Sequence, residues 1–322
     1  MRCHMVKWVM AALMALPAVR ANAQPIQAPQ PVPATTEAAE AVLVELRLKD
    51  GSVVYGVVQS ETADRVIIKT IAGGIVEAQR SQIASLAPAR GRVVAGEFWP
   101  ADPNATRLLF SPTGRSLRKG EGYIGVYEFL LPFVQVGVTD RFSIGAGTPL
   151  IFFGDESSRP VWLTPKYQFY KGSKTSAAVG VMHFMLFGED ARVGLAYAVA
   201  TTGTDDNAFT GGIGWAYSRY HQDRYDYSSC GTAPITPACT TKERVTRGGV
   251  SPVLMVGGEH RVSRRVKAVT ENYVFEHSGI VSVGVRFLGE RLSADLGVFA
   301  PLSSEDVFVL APIVNFVWTF GK

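Results

Sequence analysis

From residue 122 to the C-terminus the chain alternates large apolar residues with small or polar ones at every second position, the period of an extended strand. In Gly279 to Leu288 one face carries Val281, Val283, Val285 and Phe287, and the other carries Ser282, Gly284 and Arg286. The next run inverts parity, with Leu292, Ala294, Leu296 and Val298 against Ser293, Asp295 and Gly297. A hairpin centred between Glu290 and Arg291 then predicts Arg286 opposite Asp295 and Val285 opposite Leu296. The same alternation sets Val193, Leu195, Tyr197 and Val199 against Arg192, Gly194, Ala196 and Ala198. It also sets Phe209, Ile213, Trp215 and Tyr217 against Thr210, Gly212, Gly214, Ala216 and Ser218, and Val161, Leu163, Tyr167 and Phe169 against Thr164, Lys166 and Gln168. In each run the large apolar residues are expected outside and the small or polar ones inside.

A soluble sandwich also alternates, so alternation alone does not choose lipid over a protein core. Three features together favour lipid: the length of the runs, the aromatic residues near their ends (Tyr167, Phe169, Trp215, Tyr217, Phe316, Trp318 and Phe320), and an opposite face rich in Gly and Ala. In hydrocarbon every backbone polar group needs a partner, so a chain crossing without apolar helices must close its sheet. Taking Thr106 to Phe110 as the first strand, the runs 122–138, 142–153, 160–170, 175–187, 191–203, 208–221, 246–262, 266–277, 279–288, 292–301 and 306–320 bring the expected count to about twelve. Alternation is poor in 122–138, around Glu128 and Pro132. Turns at 139–141, 171–174, 203–207, 263–265 and 289–291 are short and 221–244 is long, which assigns the first set to the periplasm and the last to the outside.

Upstream the pattern changes. Residues 41–88 read as five short strands broken at Lys49-Asp50-Gly51 and Ala72-Gly73-Gly74, ending in a helical turn or short strand over Arg80 to Leu86. A connector follows at 89–104, and the barrel is expected over 105–322. Residues 24–40, rich in Pro, Ala and Gln, read as an extended linker. Residues 1–23 carry Arg2 and Lys7, an apolar run from Trp8 to Val19 and the small-x-small site Ala21-Asn22-Ala23, the pattern of a cleaved export signal. The expected fold class is therefore all-β: a transmembrane antiparallel barrel preceded by a small periplasmic β-module.

Export changes the charge reading. Loss of residues 1–23 removes Arg2, Lys7 and Arg20 with no acids, taking the formal net charge from +4 to +1, so no nucleic-acid partner is implied. The cysteines that remain, Cys230 and Cys239, share one polar stretch in an oxidising compartment and are expected to form a local disulfide. A metal pair would lack nearby ligands other than His221, and neither metal nor cofactor is expected.

The Lys-Asp-Gly-Ser-Val-Val-Tyr-Gly turn at 49–56 resembles the opening of the second strand in Sm-like and SH3-like small barrels, which implies a docking unit rather than a catalyst. The last strand, with Phe316, Trp318 and Phe320 on one face, resembles the C-terminal signal read by the outer-membrane assembly machinery, which would make that machinery a partner alongside the outer-membrane lipids. It departs from that signal in ending Gly321-Lys322 and in holding Asn315 where a glycine is usual. Residues 104–112, 117–123 and 137–147 resemble a group of uncharacterised bacterial outer-membrane barrels; that resemblance implies a location and no activity.

Barrel enzymes need a nucleophile with a base beside it. His183, on the face with Val179 and Val181, is expected in the lumen opposite Trp162, with no serine within two positions on its strand. His277 and Ser278 are adjacent and so point to opposite faces. No catalytic residue is assigned and the chain is not read as an enzyme. Lys166, His183, Arg192, Arg286 and Asp295 are the candidate lumen-lining residues, with Glu259, Arg261 and Glu271 as further lumen charges. The leading reading is a narrow channel or solute-passage barrel. The alternatives are an anchor that presents 41–88 to a periplasmic partner and, more weakly, a lipid-modifying enzyme.

Overall fold

A computed structural model describes residues 42–151, 159–186, 191–226, 241–302 and 310–321, the side chains of 222–226, 241 and 242 excepted. The export signal, the linker, Cys230 and Cys239 lie outside the described residues. No helix among the described residues is long and apolar enough to cross a membrane.

The first sheet holds β1 (Leu43–Leu48), β2 (Val53–Glu61), β3 (Arg65–Thr70), β4 (Ile75–Gln79) and β5 (Ile83–Pro88) in the order β4-β3-β2-β1-β5. Leu46, Val66, Ile68 and Ala78 form its core. The β1–β2 turn works because Gly51 takes a positive φ of 90°, and Asp50 Oδ1 accepts the Ser52 N–H at 2.8 Å. The expected helical turn or strand at Arg80 to Leu86 is both, a 3-10 turn at Arg80–Gln82 leading into β5. A two-stranded hairpin, β6 (Gly91–Val94) and β7 (Glu97–Pro100), follows.

The second sheet is a closed antiparallel barrel. Its strands are β8 (Gly122–Tyr127), β9 (Leu131–Gly137), β10 (Phe142–Gly147), β11 (Pro160–Leu163), β12 (Lys166–Lys171), β13 (Thr175–Leu186), β14 (Arg192–Gly203), β15 (Asn207–Asp226), β16 (Thr241–Ser263), β17 (Val266–Val274), β18 (Gly279–Leu288), β19 (Leu292–Leu302) and β20 (Ala311–Phe320). β11 and β12 both pair with β10 and β13, so they are two halves of one crossing, interrupted at Thr164-Pro165, and the wall has twelve strands. β20 pairs with β8 and closes the ring. Short turns and both ends of the barrel chain share one rim, called here the short-turn end; the opposite rim is the loop end.

The count of twelve stands, by a route that differs from the sequence reading in two places. The run 122–138 is two strands, because the chain reverses at Glu128 and Phe129, both with positive φ (48° and 60°). The Glu128 N–H donates to the Val314 carbonyl at 2.8 Å, fixing that turn to β20. Thr106 to Phe110 is no strand of the wall; it holds one isolated bridge, Arg107 with Pro112. Leu108 and Leu109 are buried against the inward-facing Val269 and Ile313, so this apolar run is satisfied from inside the ring.

The β18–β19 register is the predicted one, with Arg286 opposite Asp295 and Val285 opposite Leu296. β14 is the reverse of its prediction. Thr201 and Thr210 are opposite each other, buried and hydrogen-bonded at 2.7 Å, and the unshifted β14–β15 register then turns Val199, Tyr197 and Leu195 inward with them. Tyr197 and Val199, 6% and 3% exposed, pack on Ala178, Val253 and Met255. The physical reason is that the lumen near the loop end is apolar, so residue size no longer distinguishes inside from outside.

Candidate functional site

The residues between β7 and β8 do not skirt the barrel; they fill it. Segment 101–121, termed the plug, contributes buried Asp102, Asn104, Arg107, Leu108, Leu109, Ser111, Thr113 and Leu117 to the interior. Inward-facing side chains meet it from around the wall. Arg286, fully buried on β18, donates from Nε to Asp295 Oδ1 at 2.7 Å and from Nη1 to Asp102 Oδ2 at 3.1 Å. It also donates to the carbonyls of Asn104, Arg107 and Leu108. Asp295 in turn accepts from Arg107 at 3.0 Å. Lys267 on β17 bridges Asp102 at 2.7 Å and Glu259 at 3.1 Å, and Glu259 also accepts from Arg115 at 3.0 Å.

Uncharged backbone groups of the plug are held as well. Lys166 on β12 donates to the carbonyls of Thr106, Thr113 and Arg115 at 3.1, 3.4 and 2.6 Å. Glu271 on β17 accepts the N–H groups of Phe110 and Ser111, each at 2.9 Å, and the Tyr273 hydroxyl at 2.6 Å. Asn315, the departure from the usual glycine, is fully buried and donates to the Leu109 carbonyl at 3.2 Å. Arg261 caps the Pro100 carbonyl at 2.7 Å where the chain enters. Burial by itself would raise the Asp102 carboxyl, but Lys267 and Arg286 hold it below the ordinary carboxylate range.

The lumen is divided along its axis. Toward the short-turn end the wall presents Ser143, Lys166, Gln168, Thr210, Glu259 and Lys267, all buried against the plug. Toward the loop end the inward positions are apolar: Phe133, Trp162, Met182, Leu195 and Val253 surround the next levels. Phe184, whose ring lies 5.9 Å from that of Trp162, and its cross-strand partner Val193 continue this face and are 39% and 51% exposed. Above the plug the inward face is thus largely apolar and partly exposed, with Ser218 and Ser251 beside Val193 and Ala216.

Of the candidate lumen residues, Lys166, Arg286 and Asp295 are brought together on the plug. His183 and Arg192 are not: β14 turns Val193 and Val199 inward and so Arg192 outward, and its register partner β13 turns Ala178, Met182 and Phe184 inward and so His183 outward. Trp162 is opposite Phe184, and His183 is opposite Leu163 and Gly194 instead. Its Nδ1 is hydrogen-bonded at 2.7 Å to the hydroxyl of Tyr217, which reaches it by lying over Gly194, where a Cβ would sit 2.4 Å from the ring. The sequence reading missed the plug residues Asp102, Arg107 and Arg115. Their signal was available: three charges in a short stretch that lacks the two-residue period of its neighbours. Among the described residues no group of acidic, His or Cys side chains could hold a metal ion.

No family model matches the chain, and no curated protein matches it. Among solved structures, similar folds include the KdgM porin in complex with disordered oligogalacturonate, at 9% identity and a TM-score of 0.39 over 62% of this chain and 98% of that one. The NanC porin aligns at 9% identity and a TM-score of 0.37 over 63% and 98%. Salmonella typhi OmpF in complex with daunomycin aligns at 10% identity and a TM-score of 0.30 over 87% and 96%.

Proposed function

We propose that the chain is an outer-membrane barrel for solute passage whose lumen is shut, at the periplasmic half, by its own residues 101–121. The membrane reading rests on the outer wall. Ile213, Trp215, Val283, Leu296, Phe316 and Trp318 all point outward from the sheet and are exposed, an apolar extent that soluble monomers rarely carry. Short turns together with both ends of the barrel chain support a periplasmic reading of the short-turn rim, and with it of the module of β1–β5.

The observation that carries the passage reading is how the interior is filled. A barrel that only anchors a module can close its lumen with side chains of the wall. Here a separate segment occupies it, held by Asp102, Arg107 and Arg115 through ion pairs to the wall, beneath a partly exposed apolar stretch of the lumen. The second reading, an anchor presenting residues 41–88 to a periplasmic partner, draws support from the Arg47–Glu290 ion pair at 2.7 Å, which ties β1 to the β18–β19 turn at the short-turn rim.

Planar-bilayer conductance separates the two. The whole chain is expected to be nearly silent, and a chain lacking residues 101–118 to pass steady current. If that deletion, shown to be folded by its heat-dependent gel mobility, passes no current, the passage reading falls and the anchor reading stands.

A further inference from the structure

On the outer wall, two arginines face each other across a strand pair, and no carboxylate among the described residues pairs with either. Arg192 on β14 and Arg219 on β15 are register partners, both exposed. Pairing places them on the outward face with Trp215 and Tyr217, since each second position of β15 from Phe209 shares that face. Among the described residues neither guanidinium has a carboxylate partner or a hydrogen bond. Like charges directly opposite in a sheet are destabilising unless an anion lies between them.

Their height on the wall names the anion. Outward positions of β15 run Phe209, Ile213, Trp215, Tyr217, Arg219, from an aromatic residue near the periplasmic turn to aromatics just below the arginine. Ten residue steps at about 3.3 Å, on strands tilted about 40°, lift Arg219 roughly 25 Å above Phe209, the height of the apolar band of such barrels. That is the level of lipid headgroups. One rung nearer the midplane, across Gly194, the hydrogen-bonded His183–Tyr217 pair adds an imidazole and a hydroxyl to the same patch.

We propose that Arg192 and Arg219, supported by His183 and Tyr217, bind the phosphate of an outer-leaflet lipid headgroup. The guanidinium fork matches phosphate oxygens two at a time, and a bridging phosphate removes the repulsion of the pair. The inference rests on the outer-membrane reading and is independent of whether the lumen conducts.

The test uses the full chain refolded into phosphatidylcholine vesicles, with and without a tenth of phosphatidic acid, a lipid whose headgroup is phosphate alone. Insertion is scored by flotation, and headgroup contact by the fraction of spin-labelled phosphatidic acid immobilised on the protein. The wild type is expected to immobilise phosphatidic acid in preference to phosphatidylcholine, and an Arg192→Gln/Arg219→Gln variant to lose that preference about tenfold. Millimolar inorganic phosphate is expected not to compete. Equal preference in wild type and variant, with both inserted, overturns the proposal and leaves the membrane reading intact. Full competition by inorganic phosphate overturns the lipid assignment in favour of a free-anion site. Failure of the wild type to insert in any vesicle overturns the membrane reading, and the proposal with it.

Discussion

The guanidinium of Arg286 sits between two carboxylates, 2.7 Å from Asp295 on the neighbouring strand and 3.1 Å from Asp102 on the plug. One side chain thereby joins the wall to what fills it. Arg286→Met would leave both carboxylates buried with one cation fewer, at a cost of about 3–5 kcal/mol. Urea unfolding in detergent micelles should show a lower midpoint with an unchanged slope.

Acid should loosen the same contact. Asp102 is held below its unfolded value, so the stabilisation it gives is fully present above the unfolded carboxylate pKa of about 3.9 and is lost as pH falls through the lower, folded value. Its direct neighbours are Lys267 and Arg286, which also engage Glu259 and Asp295. Unfolding midpoints measured from pH 7 down to about 2 should therefore fall at the acid end. Asp102→Asn should start lower and fall less steeply; parallel curves would show that Asp102 is not the group responsible.

Glu271 ties down the plug's turn through the N–H groups of Phe110 and Ser111. Glu271→Leu removes the single carboxylate oxygen that accepts both, together with the oxygen that accepts from the Tyr273 hydroxyl, and each donor left unpaired costs about 1–3 kcal/mol. Brief current openings that the wild type lacks are expected in single-channel records. Arg192→Ala, on the outer wall, should leave such records unchanged.

The orientation of β14 can be read directly by chemical labelling. Ala198 and Val199 are neighbours on opposite faces, Ala198 outward and Val199 buried in the lumen. Cysteine at 198 carrying a nitroxide should be relaxed by lipid-dissolved oxygen, and cysteine at 199 should not. The opposite result would restore the parity that residue size suggests.

That strand shows where the sequence stops being informative. β18 and β19 were legible because Arg286 and Asp295 can only face inward, which sets the parity of everything around them. β14 carries no charge within its buried span, and its Tyr197 and Val199 line an apolar part of the lumen, so large and small residues exchange their usual sides. Arg192 shares the outward face of that strand, and on β13 the same apolar lumen takes Ala178 and Met182 inward and leaves His183 outside. Thr106 to Phe110 misled for a related reason: Leu108 and Leu109 are apolar because they meet Val269 and Ile313, and a short apolar run does not reveal whether it faces lipid or protein. Asn315 was visible as an anomaly in the last strand, and its reason, a hydrogen bond to the plug, needed the third dimension.

Assembly inherits an order from this arrangement. The plug precedes the first wall strand in the chain, yet its anchors Arg286, Asp295 and Asn315 belong to the last strands, separated from their plug partners by as many as 206 residues. β20, which carries Asn315, is also the strand that meets β8 to complete the ring. A ring closed around an empty lumen would leave Arg286 without Asp102 and the carbonyls of Asn104, Arg107 and Leu108, and Asp295 without Arg107. The filling acts as a mandrel, so that only a correctly loaded barrel reaches the closed state at full stability.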